Sequence, residues 1–332
     1  RFCTGLALCL AVLAAHGLAA IQGRIRAPAA RAAPAVLAVV LTGIEFFAVP
    51  RPLIAPDVQP FFQQLAAHPS PCNGLVQEPL SRCDAVLELP QITWIPPGMF
   101  HQAIDHHPMI SGYTSRHYAY PFVDETPGVA QLVNADPTSL GGDIVTPAPG
   151  EIALRAMDYY GVRYVVVHPL ADYHPAPALQ RTLQRLFPGP GVRSGDLTVY
   201  TVPPVPQDRA FLFLGENWYA PEHDAAGAPR RWTDARATLR IVVPRGTEGR
   251  YTLALTVYAV ASPRTLVVTL DDQELARQAV ALPPGRPVRV PLMLSAGEHL
   301  VGLASLEPAI QPRGDRRRLS LGYDAIALAR AP

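Results

Sequence analysis

The last third of the chain consists of short apolar runs separated by turn residues. From Phe211 onward there are eight such runs: FLFLG, ATLRIVV, YTLALTVYAV, RTLVVTLDD, RQAVAL, VRVPLML, HLVGLASL and SLGYDAIALA. A period of two is typical of strands that bury one face, and several such strands at short, regular spacing indicate a sandwich or barrel. We therefore predict an antiparallel β-sandwich, jelly-roll-like in topology, over residues 206–330.

The region before it, residues 56–205, alternates helical and strand patterns. DVQPFFQQLAAHP and PALQRTLQRLFPGP have the spacing of amphipathic helices, and PGEIALRAMDYY is a helix that Gly161 ends. AVLELP, RYVVVH and LTVYTVP are short strands. This alternation predicts a small α/β domain, so the whole chain is expected to be an α+β multidomain protein.

The overall charge argues against one class of partner. The 332 residues carry 28 Lys and Arg against 27 Asp and Glu, a net charge of +1. Because binding to nucleic acid depends on a basic surface, we expect no nucleic-acid partner.

The chain opens on Arg1 and then on an apolar run, so we expect it to be a fragment of a longer protein. Residues 4–22 have no formal charge, GRIRAPAARAA follows, and PAVLAVVLTGIEFFAV is a second apolar run. This order predicts two transmembrane helices within residues 1–50, with the basic loop cytoplasmic and the bilayer as a partner. The alternative is a signal peptide followed by an Ala/Pro linker. Under either interpretation, the residues after about 50 are extracytoplasmic.

Two of the four cysteines lie in the expected exported part. Cys72 and Cys83 bracket the polar segment NGLVQEPLSR. An oxidising compartment allows a disulfide that closes this short loop, and two free thiols are the alternative. We predict the bond.

One stretch, HQAIDHHPMISGYTSRHYAY, is rich in histidine. It contains His101, Asp105, His106, His107 and His117. The spacing lacks the i, i+4 pair of helical zinc sites, and no HExxH occurs in the chain. We therefore expect an ordered loop over the α/β region, held by polar contacts of Arg116, with no metal and no cofactor bound.

Aromatic residues gather where the sandwich begins, in GENWYAPEHDAAGAPRRWTD. Aromatic faces with a few polar groups bind sugar rings, because the apolar face of a pyranose stacks on an indole. This predicts a glycan site that contains Trp218, Tyr219, Glu222 and Trp232. The alternative is that these rings cover the end of the sandwich or pack against the first region.

The chain resembles the C-terminal tail of a known family. VLELP, GVRYVVVHP, NWYAPE and GDRRRLSLGYDAIAL are similar to segments of bacterial polytopic GT-C-type glycosyltransferases, which are related to the dolichyl-phosphate-mannose protein mannosyltransferases. The histidine-rich stretch adds to this resemblance through His106 or His107, Pro108, Gly112, Tyr113, Ser115 and Arg116.

The resemblance implies a function only in outline. Such enzymes take sugar from a polyprenyl-phosphate donor outside the membrane, and their catalytic acids lie in a first outer loop that these residues do not contain. His106, His107, Tyr113 and Arg116 would then serve the acceptor side.

Two functions of different classes follow. The first is the exported portion of a membrane glycosyltransferase, non-catalytic by itself, with a polyprenyl-phosphate sugar or a glycan as partner. The second is a membrane-anchored carbohydrate-binding or adhesion module without catalysis. An independent hydrolase is disfavoured, because the chain has no GxSxG and no zinc signature.

Overall fold

A computed structural model describes residues 2–27, 30–46, 58–68, 70, 72, 83–90, 97–110, 121–169 and 176–331. The chain divides into two compact units, Arg1–Asp57 and Val58–Pro332. Both the α/β layer and the sandwich therefore belong to one compact unit.

The first unit consists of two helices, α1 (Phe2–Arg24) and α2 (Ala33–Phe46). Within the part of the chain that the structure describes, no helix is both long and apolar enough to cross a membrane. The 14 residues of α2 extend for about 21 Å, less than a hydrocarbon core of about 30 Å. The prediction of two transmembrane helices within residues 1–50 is wrong. The prediction of the bilayer as a partner, which rested on these two helices, is therefore no longer supported.

The second unit begins with the α/β layer. Its elements are α3 (Pro60–Ala66), β1 (Ala85–Leu89), α4 (Pro97–Asp105), α5 (Pro121–Glu125), α6 (Val129–Val133), β2 (Val145–Thr146), α7 (Pro149–Tyr159), β3 (Val162–Val167), α8 (Ala176–Leu186), β4 (Val192–Ser194) and β5 (Leu197–Thr201). Four of the strands form a sheet in the order β1-β3-β5-β4. β1 and β3 are parallel, whereas β5 is antiparallel to both of its neighbours.

Helices cover both faces of this sheet. Phe62 and Leu65 of α3 pack on one face against Val86 and Val166. Side chains of α7 and α8 pack on the other face, against Leu87 and Val165 among others. Strands that are buried on both faces do not alternate between apolar and polar residues. This explains why all five residues of β1 are buried and why four of them are apolar, Glu88 being the exception.

The rest of the unit is the predicted antiparallel sandwich, which is confirmed. Its strands are β6 (Phe211–Leu214), β7 (Glu222–His223), β8 (Pro229–Thr233), β9 (Arg236–Val243), β10 (Gly249–Ala259), β11 (Arg264–Leu270), β12 (Gln273–Val280), β13 (Arg286–Leu294), β14 (Gly297–Ser305) and β15 (Leu321–Arg330). One sheet has the order β13-β10-β15-β8-β7, and the other has the order β12-β11-β14-β9-β6. Each of the eight predicted runs contains a strand.

Alternation along the strands builds the sandwich core. In β13, Val288, Val290, Leu292 and Leu294 are buried while the residues between them are exposed. They meet side chains of β9, β10 and β14 from both sheets in a single apolar cluster. Strand β2, from the α/β region, pairs in parallel with β15 and extends the first sheet.

Helix α7 lies between the two layers and packs on both. Ala153 and Met157 face the core of the α/β sheet. Ile152 and Ala156 face the outer surface of the second sandwich sheet, where they contact a cluster that contains Phe211, Phe213 and Val242. A helix that is apolar on two sides is buried between two partners, so α7 makes the layers one unit.

We predict that the α7 interface stabilises both layers together. Ile152→Ala and Phe213→Ala should each reduce the free energy of unfolding by about 2–5 kcal/mol, because each leaves a cavity in a fully packed contact. Urea unfolding followed by circular dichroism should show one transition with a lower midpoint. Val192→Ala, at a side chain that is 72% exposed, is the control. Two separate transitions in the wild-type chain would contradict this account.

Candidate functional site

A cavity of about 240 Å³ lies between the α/β layer and the sandwich. The segment from Asp124 to Ile152 forms one wall, and residues of β6 and β8 form the other. The side chains that give it chemical character are Glu125, Gln131, Asn134, Asp136, Trp218 and Arg231.

The Trp218 side chain is held in place by one hydrogen bond and one aromatic contact. The indole Nε1 donates a hydrogen bond to the backbone oxygen of Thr238 at 2.7 Å. The ring packs edge-on against Tyr323, with 5.1 Å between ring centroids. A part-buried indole whose N–H is satisfied offers the cavity an apolar surface.

Arg231 reaches the cavity because of the register of β8. It pairs with Tyr323 on β15, whose side chain lies in the sandwich core, so Arg231 faces inward. Its Nε donates to Asp143 Oδ1 at 2.8 Å and its Nη2 to Asp143 Oδ2 at 2.6 Å, while Nη1 donates to the backbone oxygen of Tyr219 at 2.8 Å. A bidentate pair fixes the guanidinium plane, and it ties the segment before β2 to the sandwich.

Amides and carboxylates complete the polar lining. Gln131 Oε1 accepts from the backbone N–H of Gly128 at 2.7 Å, and Asn134 Nδ2 donates to the backbone oxygen of Ala130 at 3.0 Å. Among the described residues, the Gln131 amide nitrogen and the Asn134 amide oxygen have no hydrogen-bond partner. Burial raises the pKa of Glu125, although Arg240 donates to its carboxylate.

The four predicted aromatic-site residues do not form one surface. Trp218 lines the cavity, whereas Trp232 pairs with Gly322 on the outer face of its sheet and donates through Nε1 to Glu222 Oε2 at 2.9 Å. We call the surface around Trp232 and Glu222 the outer edge. Tyr219 lies near it, and its hydroxyl donates to the backbone oxygen of Arg318.

Guanidinium groups of the same chain cover the outer-edge rings. Arg317 lies 5.3 Å from the centroid of Tyr219 and donates to Glu222 Oε1. Arg230 lies 5.9 Å from the ring of Trp232. These cation–π contacts occupy faces that a sugar would need.

The histidine-rich stretch starts as a helix rather than as the predicted loop. Residues 97–105 form α4, and residues 108–110 then run along the edge of β1, where Met109 bridges to Val86. His107 is buried, with its backbone N–H bonded to Asp105 Oδ1 at 2.8 Å. His106 is exposed, with φ at +58°. Tyr113, Arg116 and His117 lie outside the described residues.

His101 meets two residues that are distant in sequence. Its Nδ1 lies 3.0 Å from Glu88 Oε2, and His168 Nε2 lies 2.7 Å from the same oxygen. Phe62 stacks on the His101 ring, with 3.7 Å between ring centroids. Burial raises the pKa of Glu88, but the hydrogen bonds from the two histidines outweigh it, so the net pKa is below its usual value.

Both new members of this trio lie at the ends of apolar strands. Glu88 is near the end of β1 and His168 comes directly after β3, and these two strands are parallel. Polar side chains at the carboxyl ends of adjacent parallel strands converge at one edge of a sheet. In the sequence, the segments ELP and VHP each place a polar residue at the end of an apolar run, and this was the signal that could have identified Glu88 and His168.

Cys72 and Cys83 are joined in a disulfide, with a Cα–Cα distance of 4.9 Å. Ser70 Oγ donates to the backbone oxygen of Cys83 at 2.6 Å. Both cysteines are buried, and Cys83 lies just before β1, so the bond holds the chain where it enters the sheet.

No family model matches the chain, and no curated protein matches it. Among solved structures, a family 35 carbohydrate-binding module from Clostridium thermocellum is 13% identical at a TM-score of 0.26, covering 37% of this chain and 92% of that chain. A second family 35 module, from an environmental isolate, is 16% identical at 0.28, covering 37% and 99%. The xylan-binding domain CBM22-1 of Paenibacillus barcinonensis Xyn10C is 13% identical at 0.25, covering 37% and 83%. Similarity this low does not assign a ligand to the chain.

We predict that the Arg231–Asp143 pair is strongly coupled. Arg231→Met and Asp143→Asn should each cost about 3–5 kcal/mol, because each leaves a buried partner uncompensated. The double variant should cost clearly less than the sum, as measured by urea unfolding of all four proteins. Arg277→Ala, in an exposed pair with Glu274, should leave the unfolding midpoint essentially unchanged, because solvent screens such a pair. Strict additivity of the two buried substitutions would refute the coupling.

Proposed function

We propose that this protein binds carbohydrate without catalysing its conversion, and that the cavity between the two layers is the binding site. The observation that carries the proposal is the meeting of Trp218, Asn134, Gln131 and Arg231 around one cavity. A sugar ring has hydroxyl groups around its rim and an apolar C–H face. The amides of Asn134 and Gln131 can hydrogen-bond to the hydroxyls, and the indole of Trp218 can contact the apolar face.

The size of the cavity supports a short ligand. Its volume of about 240 Å³ is below the range of about 300–1,000 Å³ that is typical of larger small-molecule sites. One sugar ring, or the end of a glycan chain, fits this proportion. The ligand that we propose is therefore a terminal sugar rather than the middle of a long polysaccharide.

The charges around the cavity favour binding over hydrolysis. Glycoside hydrolysis needs two carboxyl groups that are free to act as acid and as base or nucleophile. Here Asp143 is held by Arg231 and Glu125 by Arg240, and Asp136 accepts hydrogen bonds from Thr138 at 2.5 and 2.9 Å. These carboxylates are engaged in holding the walls in place.

The resemblance to GT-C-type glycosyltransferase tails remains a hypothesis. A polyprenyl-phosphate sugar as donor rests on that resemblance alone, and most of its motif, from Gly112 to Arg116, lies outside the described residues. An extracytoplasmic location is likewise a proposal. The disulfide between Cys72 and Cys83 supports it, because such bonds persist in oxidising compartments.

The proposal predicts which substitutions weaken sugar binding. Saturation-transfer NMR of the full chain with methyl glycosides of glucose, mannose, galactose, xylose and N-acetylglucosamine should identify at least one ligand. Asn134→Ala and Trp218→Phe should then weaken its binding by about fivefold or more, the equivalent of one lost hydrogen bond or contact. Circular dichroism should confirm that both variants are folded.

Two further variants separate the cavity from the outer edge. Trp232→Phe changes the ring beside Glu222, and Arg277→Ala changes an exposed pair on β12; both should leave binding unchanged. Loss of binding in Trp232→Phe with none in Trp218→Phe would place the sugar on the outer edge instead. Failure of all five glycosides to bind would sink the proposal.

A further inference from the structure

We infer that Glu88, His101 and His168 form a binding site for a divalent transition metal of the zinc class. One ligand atom from each residue lies within 4.8 Å of the other two. This site is separate from the sugar cavity, and none of its three residues lines that cavity.

The donor set matches the preference of zinc. Two imidazole nitrogens and one carboxylate oxygen are a ligand combination that zinc takes in three-ligand sites, with a fourth position left for water or another ligand. The three donors are His101 Nδ1, His168 Nε2 and Glu88 Oε2. Harder ions such as Mg²⁺ and Ca²⁺ prefer oxygen ligands alone.

Two of the three ligand separations are close to those that a metal requires. In a tetrahedral site with bonds of about 2.0–2.1 Å, neighbouring ligand atoms lie about 3.3 Å apart. Glu88 Oε2 lies 3.0 Å from His101 Nδ1 and 2.7 Å from His168 Nε2. The two imidazole nitrogens lie within 4.8 Å of each other. To bind the ion, the two contacts to Glu88 must lengthen by about 0.3–0.6 Å and the two nitrogens must settle at a similar distance. The ion then replaces the hydrogen-bonding protons of the two histidines.

The surroundings hold two ligands firmly and leave the third adjustable. Glu88 is fixed in the buried strand β1, one residue before its end, and the His101 ring is stacked on Phe62. The His168 side chain is 23% exposed, against 5% for His101 and 10% for Glu88. His168 is therefore the ligand with the most freedom to adjust.

This inference revises the sequence-based expectation that no metal binds. That expectation considered only His101, Asp105, His106, His107 and His117, whose spacing does not bring three ligands together. A site made from residues 88, 101 and 168 depends on the parallel pairing of β1 and β3, which local spacing does not reveal. The competing interpretation is a purely structural network, in which two neutral histidines satisfy a buried carboxylate.

Metal titration of the untagged full chain distinguishes the two interpretations. After dialysis against a chelator, the protein should take up one equivalent of Zn²⁺ in competition with a colorimetric zinc indicator. Glu88→Gln and His168→Gln should each weaken this uptake more than tenfold, since each removes a ligand. His68→Gln, at an exposed histidine beside α3, is the matched control and should bind as the wild type does.

Stability gives an independent measurement. Zn²⁺ should raise the unfolding temperature of the wild type and of His68→Gln, because an ion that binds only the folded state stabilises it. It should leave His168→Gln unchanged. If Glu88→Gln does not fold, His168→Gln decides alone, as its side chain is the most exposed of the three. Absence of stoichiometric uptake by the wild type, or uptake that His168→Gln retains, would overturn the metal site and leave the sugar proposal untouched.

Discussion

The packing of α7 on two partners is the contact on which the second unit depends. Ala153 and Met157 complete the core of the α/β sheet, while Ile152 and Ala156 cover Phe211, Phe213 and Val242 of the sandwich. Gly128 shows how close the fit is: a Cβ there would lie 2.7 Å from the sulfur of Met157, and its φ is +87°. The polar side of the same helix holds the connection to the sandwich, because Asp158 Oδ2 accepts from the backbone N–H of Val205 at 3.1 Å.

Buried ion pairs give this interface its register. Arg231 with Asp143, and Arg240 with Glu125, each join a residue of the sandwich to one of the segment before α7. Such pairs contribute little net stability compared with apolar packing, because desolvation offsets their attraction. Their consequence is geometric: the bidentate Arg231–Asp143 pair and the Arg240–Glu125 pair place polar groups where the two layers meet.

The two proposed sites use different parts of the architecture. The sugar cavity exists only because two layers meet, so its walls come from both. The metal trio belongs to the α/β sheet alone and uses the carboxyl ends of β1 and β3, where side chains from separate runs converge. Because the sites share no ligand residue, each can be removed by substitution without altering the donors of the other.

The sequence by itself determined the elements whose signal is local. Alternation with a period of two placed a strand in each of the eight predicted runs, and Gly161 marked the end of α7. The same local reasoning was wrong at the N-terminus. The hydropathy of the sequence predicted two membrane spans there, but α2 has only 14 residues.

Tertiary structure alone decided which distant residues meet. Neighbouring residues Trp218 and Tyr219 have separate surroundings, and the register of β8 against β15 sends Arg231 inward and Trp232 outward. His101 is joined to Glu88 and His168 rather than to the histidines beside it. The physical reason is that periodicity reports which face a residue occupies, whereas the partner on that face is set by strand pairing and helix packing between segments far apart in the chain.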